Sequence, residues 1–174
     1  MVKTLLNWLK GLLGYPMLPR PEQVGETLVT MREARDCHVA AIATACGVSY
    51  EQAHKACKHH NLPGFLESPI YSNPKALVAA IERLGCQVKS LKISELLHGE
   101  MPAGKVICLV HNPTNAIAAT LQSHWVVYMG TSDGGEYLFH WGKGQALEAL
   151  TREKLIDMLT AGWPNAVFRV ESEF

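Results

Sequence analysis

The apolar positions of this chain change period halfway along it. From Cys37 to Cys46 they recur at helical spacing (Val39, Ala40, Ile42, Ala43), and Gly47 supplies the stop. Ser49 and Gln52 form a capping box that starts a second helix running to about residue 59, and Asn61-Leu62-Pro63-Gly64 ends it. Asn73-Pro74 opens a third, with Pro at the first helical position and Leu77, Val78, Ile81 and Leu84 on one face before Gly85. Strand patterns follow. Residues 87–91 alternate, 105–111 form a short apolar run suited to a buried strand, and 125–129 form another. Ser132-Asp133-Gly134-Gly135 is a turn signal, so 125–129 and 136–140 are expected to pair as a hairpin. A late helix over 151–160 and a strand over 166–170 close the chain. Helices first and antiparallel strands afterwards predict an α+β fold rather than a βαβ repeat.

The N-terminal segment is set apart. Leu5 to Leu13 reads as a short amphipathic helix, and the Pro-rich stretch from Tyr15 to Pro21 reads as an extended connector. The expected organisation is therefore an extension over 1–21 and one domain over 22–174. Asn7, Lys10 and Gly11 break the apolar run, so it does not read as an export signal, and it is too short to span a bilayer. A helix packed on the domain or on a partner is expected, with peripheral contact to a membrane surface as the alternative.

Composition narrows the class. With 174 residues and 48% hydrophobic content the chain can bury one full core. Lys+Arg and Asp+Glu both total 16, so no basic field points to nucleic acid. Five cysteines, an odd number with no CxxC pair, read as reduced and mostly buried thiols of a cytoplasmic protein. No phosphate-loop or dinucleotide fingerprint is present. His54, Cys57, His59 and His60 crowd one helix end, with His54 and Cys57 on one face, and Cys86 or His98 could join them through the fold. No second ligand pair of similar density appears, so the cluster reads as a solvated helix end suited to the dipole, and no metal or cofactor is expected.

The chemistry-bearing pattern is Asp36-Cys37 with Ser123-His124-Trp125-Val126-Val127-Tyr128 far downstream. Asp36 is a good N-cap residue, which would put Cys37 in the first turn, where the helix dipole favours a thiolate. A cysteine nucleophile needs a base, and the base needs a third group to orient its ring. His124 is the candidate base. The expected hairpin returns the far end of 136–140 beside the start of 125–129, which makes His140 the candidate orienting group. Trp141 and Gln145 are alternatives for that position.

These motifs resemble two branches of the papain-like cysteine peptidase superfamily. The leader-peptidase domains of bacteriocin exporters pair an Asp-Cys helix start with a later His-aromatic-Val-Val strand. Asp36-Cys37 and His124-Trp125-Val126-Val127 are similar. NlpC-type cell-wall peptidases follow Asp-Cys with a His-led strand, a short turn and a strand ending in a second His. His124 to Gly130 with Tyr137-Leu138-Phe139-His140 is similar. Gly47-Val48-Ser49-Tyr50-Glu51-Gln52 also resembles a segment of small papain-fold proteins carried by bacteria and their viruses. The resemblance covers about residues 30–142 and implies a triad of Cys37, His124 and His140. Three departures stand out. His38 follows the nucleophile where a small residue is usual. Met31 sits where the exporter peptidases carry the Gln that stabilises the oxyanion. No Asp occupies the third triad position.

The expectation is a helical N-terminal half, with the nucleophile at a helix start, packed on an antiparallel sheet. Its reaction would be hydrolysis of an amide, peptide or isopeptide bond through a thioester. Peptides, peptidoglycan stems and protein conjugates are the candidate substrates. The alternatives are a papain-fold binding module without chemistry, or an interaction protein anchored through the N-terminal helix.

Overall fold

The computed structural model describes residues 28–32, 36–58, 74–98, 104–111, 123–130, 136–142, 144–149, 152–161 and 166–172. The expected N-terminal helix and connector lie outside the described residues.

Three helices come first. Helix α1 (Cys37–Cys46) is apolar nearly all round, and Val39, Ala40, Ala41, Ile42, Ala43, Thr44 and Ala45 are all buried. A helix of that composition belongs inside a protein, and its run of alanines lets neighbours approach closely. The Thr44 hydroxyl accepts the Val29 N–H at 3.1 Å, which holds the segment around Val29 along this helix. Gly47 ends α1 in the left-handed region (φ 67°), and the N–H groups of Gly47 and Val48 close onto the Ala43 carbonyl. Helix α2 (Tyr50–Lys58) begins with the expected capping box. The Gln52 N–H donates to Ser49 Oγ at 3.2 Å, and the Ser49 N–H donates to Gln52 Oε1 at 2.9 Å. Helix α3 (Pro74–Arg83) buries Leu77, Ala80 and Ile81 and is followed by Gly85 at φ 82°.

The strands form one six-stranded sheet in the order β1-β6-β2-β3-β4-β5, every neighbouring pair antiparallel. They are β1 (Cys86–Ser90), β2 (Gly104–His111), β3 (Ser123–Gly130), β4 (Glu136–Gly142), β5 (Gly144–Ala149) and β6 (Ala166–Ser172). Helix α4 (Ile93–His98) lies between β1 and β2 in the chain, and α5 (Arg152–Thr160) lies between β5 and β6. Strand β6 inserts between β1 and β2, so residues 166–172 join the edge strand β1 to the rest of the sheet.

Alternation along the central strands splits the core into two layers. Ile107, Leu109, Trp125, Val127, Met129, Phe168 and Val170 pack against α1, α2 and α3. Val106, Cys108, Val110, Val126, Tyr128 and Val167 pack against Leu96 of α4 and Leu155 and Leu159 of α5. The sheet is therefore covered on both faces, which explains why β2 and β3 read as continuous apolar runs. The α+β class and the order of helices before antiparallel strands agree with expectation. Two elements were not expected. Strand β5 is rich in good helix formers (Gln145, Ala146, Leu147, Glu148) and is extended because it pairs with β4 through Gly142↔Gly144 to Tyr137↔Ala149. Helix α4, only six residues long, carried too short a period to recognise. Strand β1 starts and ends one residue earlier than the alternation suggested, although the Leu91 N–H still donates to the Val167 carbonyl at 3.0 Å.

Candidate active site

Cys37 is the first residue of α1 and is 4% exposed. Asp36 occupies the N-cap position, with its carbonyl accepting the Val39 N–H at 2.9 Å and the Ala40 N–H at 3.1 Å. Its side chain makes no cap hydrogen bond, contrary to the role expected of it. The carboxylate turns outward from the helix instead. Asp36 Oδ2 accepts the Tyr50 hydroxyl of α2 at 2.5 Å and the Arg32 backbone N–H at 3.0 Å. A second layer then braces Tyr50. The Arg32 guanidinium lies 4.3 Å over its ring, the His54 ring stacks on it at 5.7 Å, and Arg32 pairs with Glu51 at 2.5 Å. Tyr50 and Arg32 were missed as site residues. The signal was present in Ser49-Tyr50-Glu51-Gln52, but a capping box explains that tetrapeptide without reference to Asp36.

The Cys37 thiol feels opposing influences. Burial pushes it up from its ordinary value. Backbone N–H groups of Trp125, His38 and Cys37 aimed at the sulfur pull it down, and the Asp36 charge pushes it up again. The balance leaves it raised, so the resting group is a protonated thiol. The contact with Trp125 matters most for the site, because it brings the beginning of β3 onto Cys37. Trp125 is fully buried on the α1 face of the sheet, which fixes its backbone there.

His124, half-buried, is the residue just before that contact, and it pairs with Val110 across β2 and β3. The helix start is thus set against the beginning of β3, the strand that carries His124. The register of β4 gives the place of His140. The β3–β4 ladder runs from Gly130↔Glu136 to Val127↔Phe139 and stops. Continued, it sets His140 level with Val126 and sets Gly142 level with His124. The β3–β4 ladder ends at Val127, and Cys37 meets β3 beyond that end, at Trp125, where β3 pairs with β2.

His38 follows Cys37 in the first turn of α1. Its ring nitrogens are sealed from solvent although the residue is only half-buried. Burial pushes its imidazole down to about 4, with the Asp36 charge opposing that shift and His54 adding to it. It is neutral at ordinary pH and faces the Asp36–His54 side.

No family model matches the chain, and no curated protein matches it at a significant level. Solved structures do. One is a double glycine motif protease from an AMS/PCAT transporter, in complex with the leader peptide. It is 18% identical, with 86% of this chain and 93% of that one covered and a TM-score of 0.53. Another is the peptidase domain of Streptococcus ComA, a bifunctional ABC transporter involved in a quorum-sensing pathway. It is 17% identical, with 85% and 99% covered and a TM-score of 0.58. The fold is that of papain-like cysteine peptidases.

Within this papain-like fold the other cysteines stand apart from Cys37. All five are free thiols; Cys57, Cys86 and Cys108 are buried and Cys46 is half-buried. Burial alone pushes Cys57 and Cys108 up to about 12, with no N–H group opposing it. Burial, helped by the neighbouring Cys86, raises Cys46 as well, against the pull of Lys105. His59 and His60 of the cluster weighed for metal lie outside the described residues. Among the described residues no group of three or more His, Cys, Asp or Glu side chains could hold a metal ion. No described helix is long and apolar enough to cross a membrane.

Proposed function

We propose that this chain is a papain-like cysteine peptidase in which Cys37 is the nucleophile, His124 the general base and His140 the group that orients His124. The observation carrying this is the convergence of the Cys37, His38 and Trp125 backbone N–H groups on the Cys37 sulfur, with His124 one residue from that contact. Since the resting thiol is protonated, the cycle opens with proton transfer from Cys37 to His124. The sulfur attacks the carbonyl carbon, and the negative charge moves to the carbonyl oxygen. N–H groups of the first turn of α1 can receive that oxyanion as it forms. Collapse gives a thioester while His124 returns the proton to the leaving amine. Water then hydrolyses the thioester and regenerates the thiol. These steps draw on thiol, imidazole and backbone groups and call for no cofactor.

A peptide is the proposed substrate, since a similar fold was solved holding a leader peptide. Five free thiols fit a reducing compartment, and the cytoplasm is the proposed location. One observation favours a second reading, a binding module that keeps the fold without turnover. The nucleophile is nearly sealed, and a carboxylate adjoins it that opposes its ionisation.

A peptide-library cleavage assay with wild type, Cys37→Ala, His124→Ala and His140→Ala separates the two. The peptidase reading expects cleavage that Cys37→Ala abolishes, that His124→Ala cuts by about 10²-fold or more, and that His140→Ala weakens by less. Wild-type protein that cleaves nothing, or cleavage that survives Cys37→Ala, would sink it.

A further inference from the structure

The carboxylate of Asp36 and the sulfur of Cys37 have a claim on the same backbone group. An N-cap aspartate ordinarily accepts the N–H of the second or third helical residue, here His38 or Val39. The Val39 N–H is already taken by the Asp36 carbonyl at 2.9 Å. The N–H left for a capping carboxylate is that of His38, one of the three directed at the Cys37 sulfur. In the structure Asp36 does not take it, because its Oδ2 is engaged by the Tyr50 hydroxyl at 2.5 Å and the Arg32 N–H at 3.0 Å. Tyr50 is held firmly enough to do this. It is 7% exposed, with the Arg32 guanidinium on its ring at 4.3 Å and the His54 ring at 5.7 Å.

We propose that Tyr50 is a positioning residue for the nucleophile: its hydroxyl holds the Asp36 carboxylate off the first turn of α1 and leaves the His38 N–H to the Cys37 sulfur. The proposal rests on Cys37 being the nucleophile of the peptidase reading. Without the hydroxyl, the carboxylate is free to rotate onto the helix end. That motion removes a donor from the sulfur and brings a negative charge closer to it, and both effects disfavour the thiolate. Among the described residues, the other ionisable groups around the pair are Arg32 before the helix, His38 on it, Glu51 and His54 on α2, and His124 at the start of β3.

Tyr50→Phe keeps the ring, and with it the Arg32 and His54 contacts, while deleting the hydroxyl. The readout is alkylation by iodoacetamide against pH, followed by mass on the Cys37 peptide so that the other four thiols do not interfere. The expected result is a profile displaced to higher pH, with alkylation near neutral pH slowed about three- to tenfold. In an Asp36→Ala background, where there is no side-chain acceptor to swing, Tyr50→Phe is expected to change nothing, and Asp36→Asn alone, which removes the charge, is expected to alkylate faster than wild type. A folded Tyr50→Phe protein with the wild-type profile overturns the proposal, as does the same displacement in the Asp36→Ala background. If Tyr50→Phe does not fold, Asp36→Asn alone decides: faster alkylation supports the proposal, and an unchanged or slower rate overturns it. Alkylation needs no substrate, so a protein that shows the Tyr50 effect but cleaves no peptide overturns the peptidase reading and leaves this one standing.

Discussion

His38 should make the stability of this protein fall on mild acidification, and the size of the fall follows from its burial. Its imidazole is pushed down to about 4 in the fold from an ordinary value of 6.5. The sign follows from proton counting. Between those two values the unfolded chain binds a proton at His38 and the folded chain does not, so stability is fully present above about pH 6.5 and is lost as pH falls towards 4. Each pH unit inside the window is worth about 1.4 kcal/mol, which gives about 2 kcal/mol by pH 5. The assay is urea unfolding of wild type and His38→Gln, each at about pH 7.5 and about pH 5. His38→Gln carries its own packing cost, but that cost is the same at both pH values and cancels in the difference. Wild type should lose about 2 kcal/mol more than the variant on acidification. Equal losses would mean that water reaches the ring nitrogens, and the account of His38 as a permanently neutral neighbour of Asp36 would fail.

Two further outcomes test the frame around the site. Gly47→Ala forces a side chain to adopt φ 67° at the end of the nucleophile helix, yet the added Cβ meets nothing within 4 Å. The cost is therefore conformational alone, about 1 kcal/mol, or a melting temperature lower by about 2–4 °C for a chain of this length; a loss several times larger would show an unseen clash. Cys108 is fully buried and its thiol is raised from 9.0 to about 12, so the unfolded thiol ionises while the folded one does not. Stability should then fall above about pH 9, with about 1.4 kcal/mol per pH unit from this residue, and Cys108→Ala should flatten that part of the alkaline slope measured by urea unfolding.

What could be foreseen from the chain was set by local signals. The capping box at Ser49 and Gln52, the proline at the start of α3 and the glycines at 47 and 85 each act within a few residues, and each element they announce is present. The apolar runs of β2 and β3 were also plain, because strands covered on both faces cannot hide their composition. Strand β5 went unseen for the opposite reason. Nothing within it favours an extended chain, and only the ladder with β4 makes it a strand. The insertion of β6 between β1 and β2 is likewise a long-range event that no local pattern encodes.

The site divides along the same line, and the division bears on how the chemistry is tuned. Cys37 at a helix start and His124 at a strand start were legible because each is tied to its own element. What surrounds Cys37 was not, because Asp36 has two physically reasonable partners, its own helix end or a donor from elsewhere. Sequence proximity favours the first, and a phenol arriving from α2 decides for the second. A capped helix would have turned its first N–H groups to a carboxylate. The uncapped one turns them to sulfur. The same aspartate therefore changes from a competitor for the thiolate's donors into a residue whose remaining influence is its charge, and that charge raises the thiol. Burial raises it too, so Cys37 rests as a thiol, and in the proposed reaction it must lose its proton at each turnover. In the proposed reaction that demand falls on His124, whose backbone is paired with Val110 beyond the end of the β3–β4 ladder.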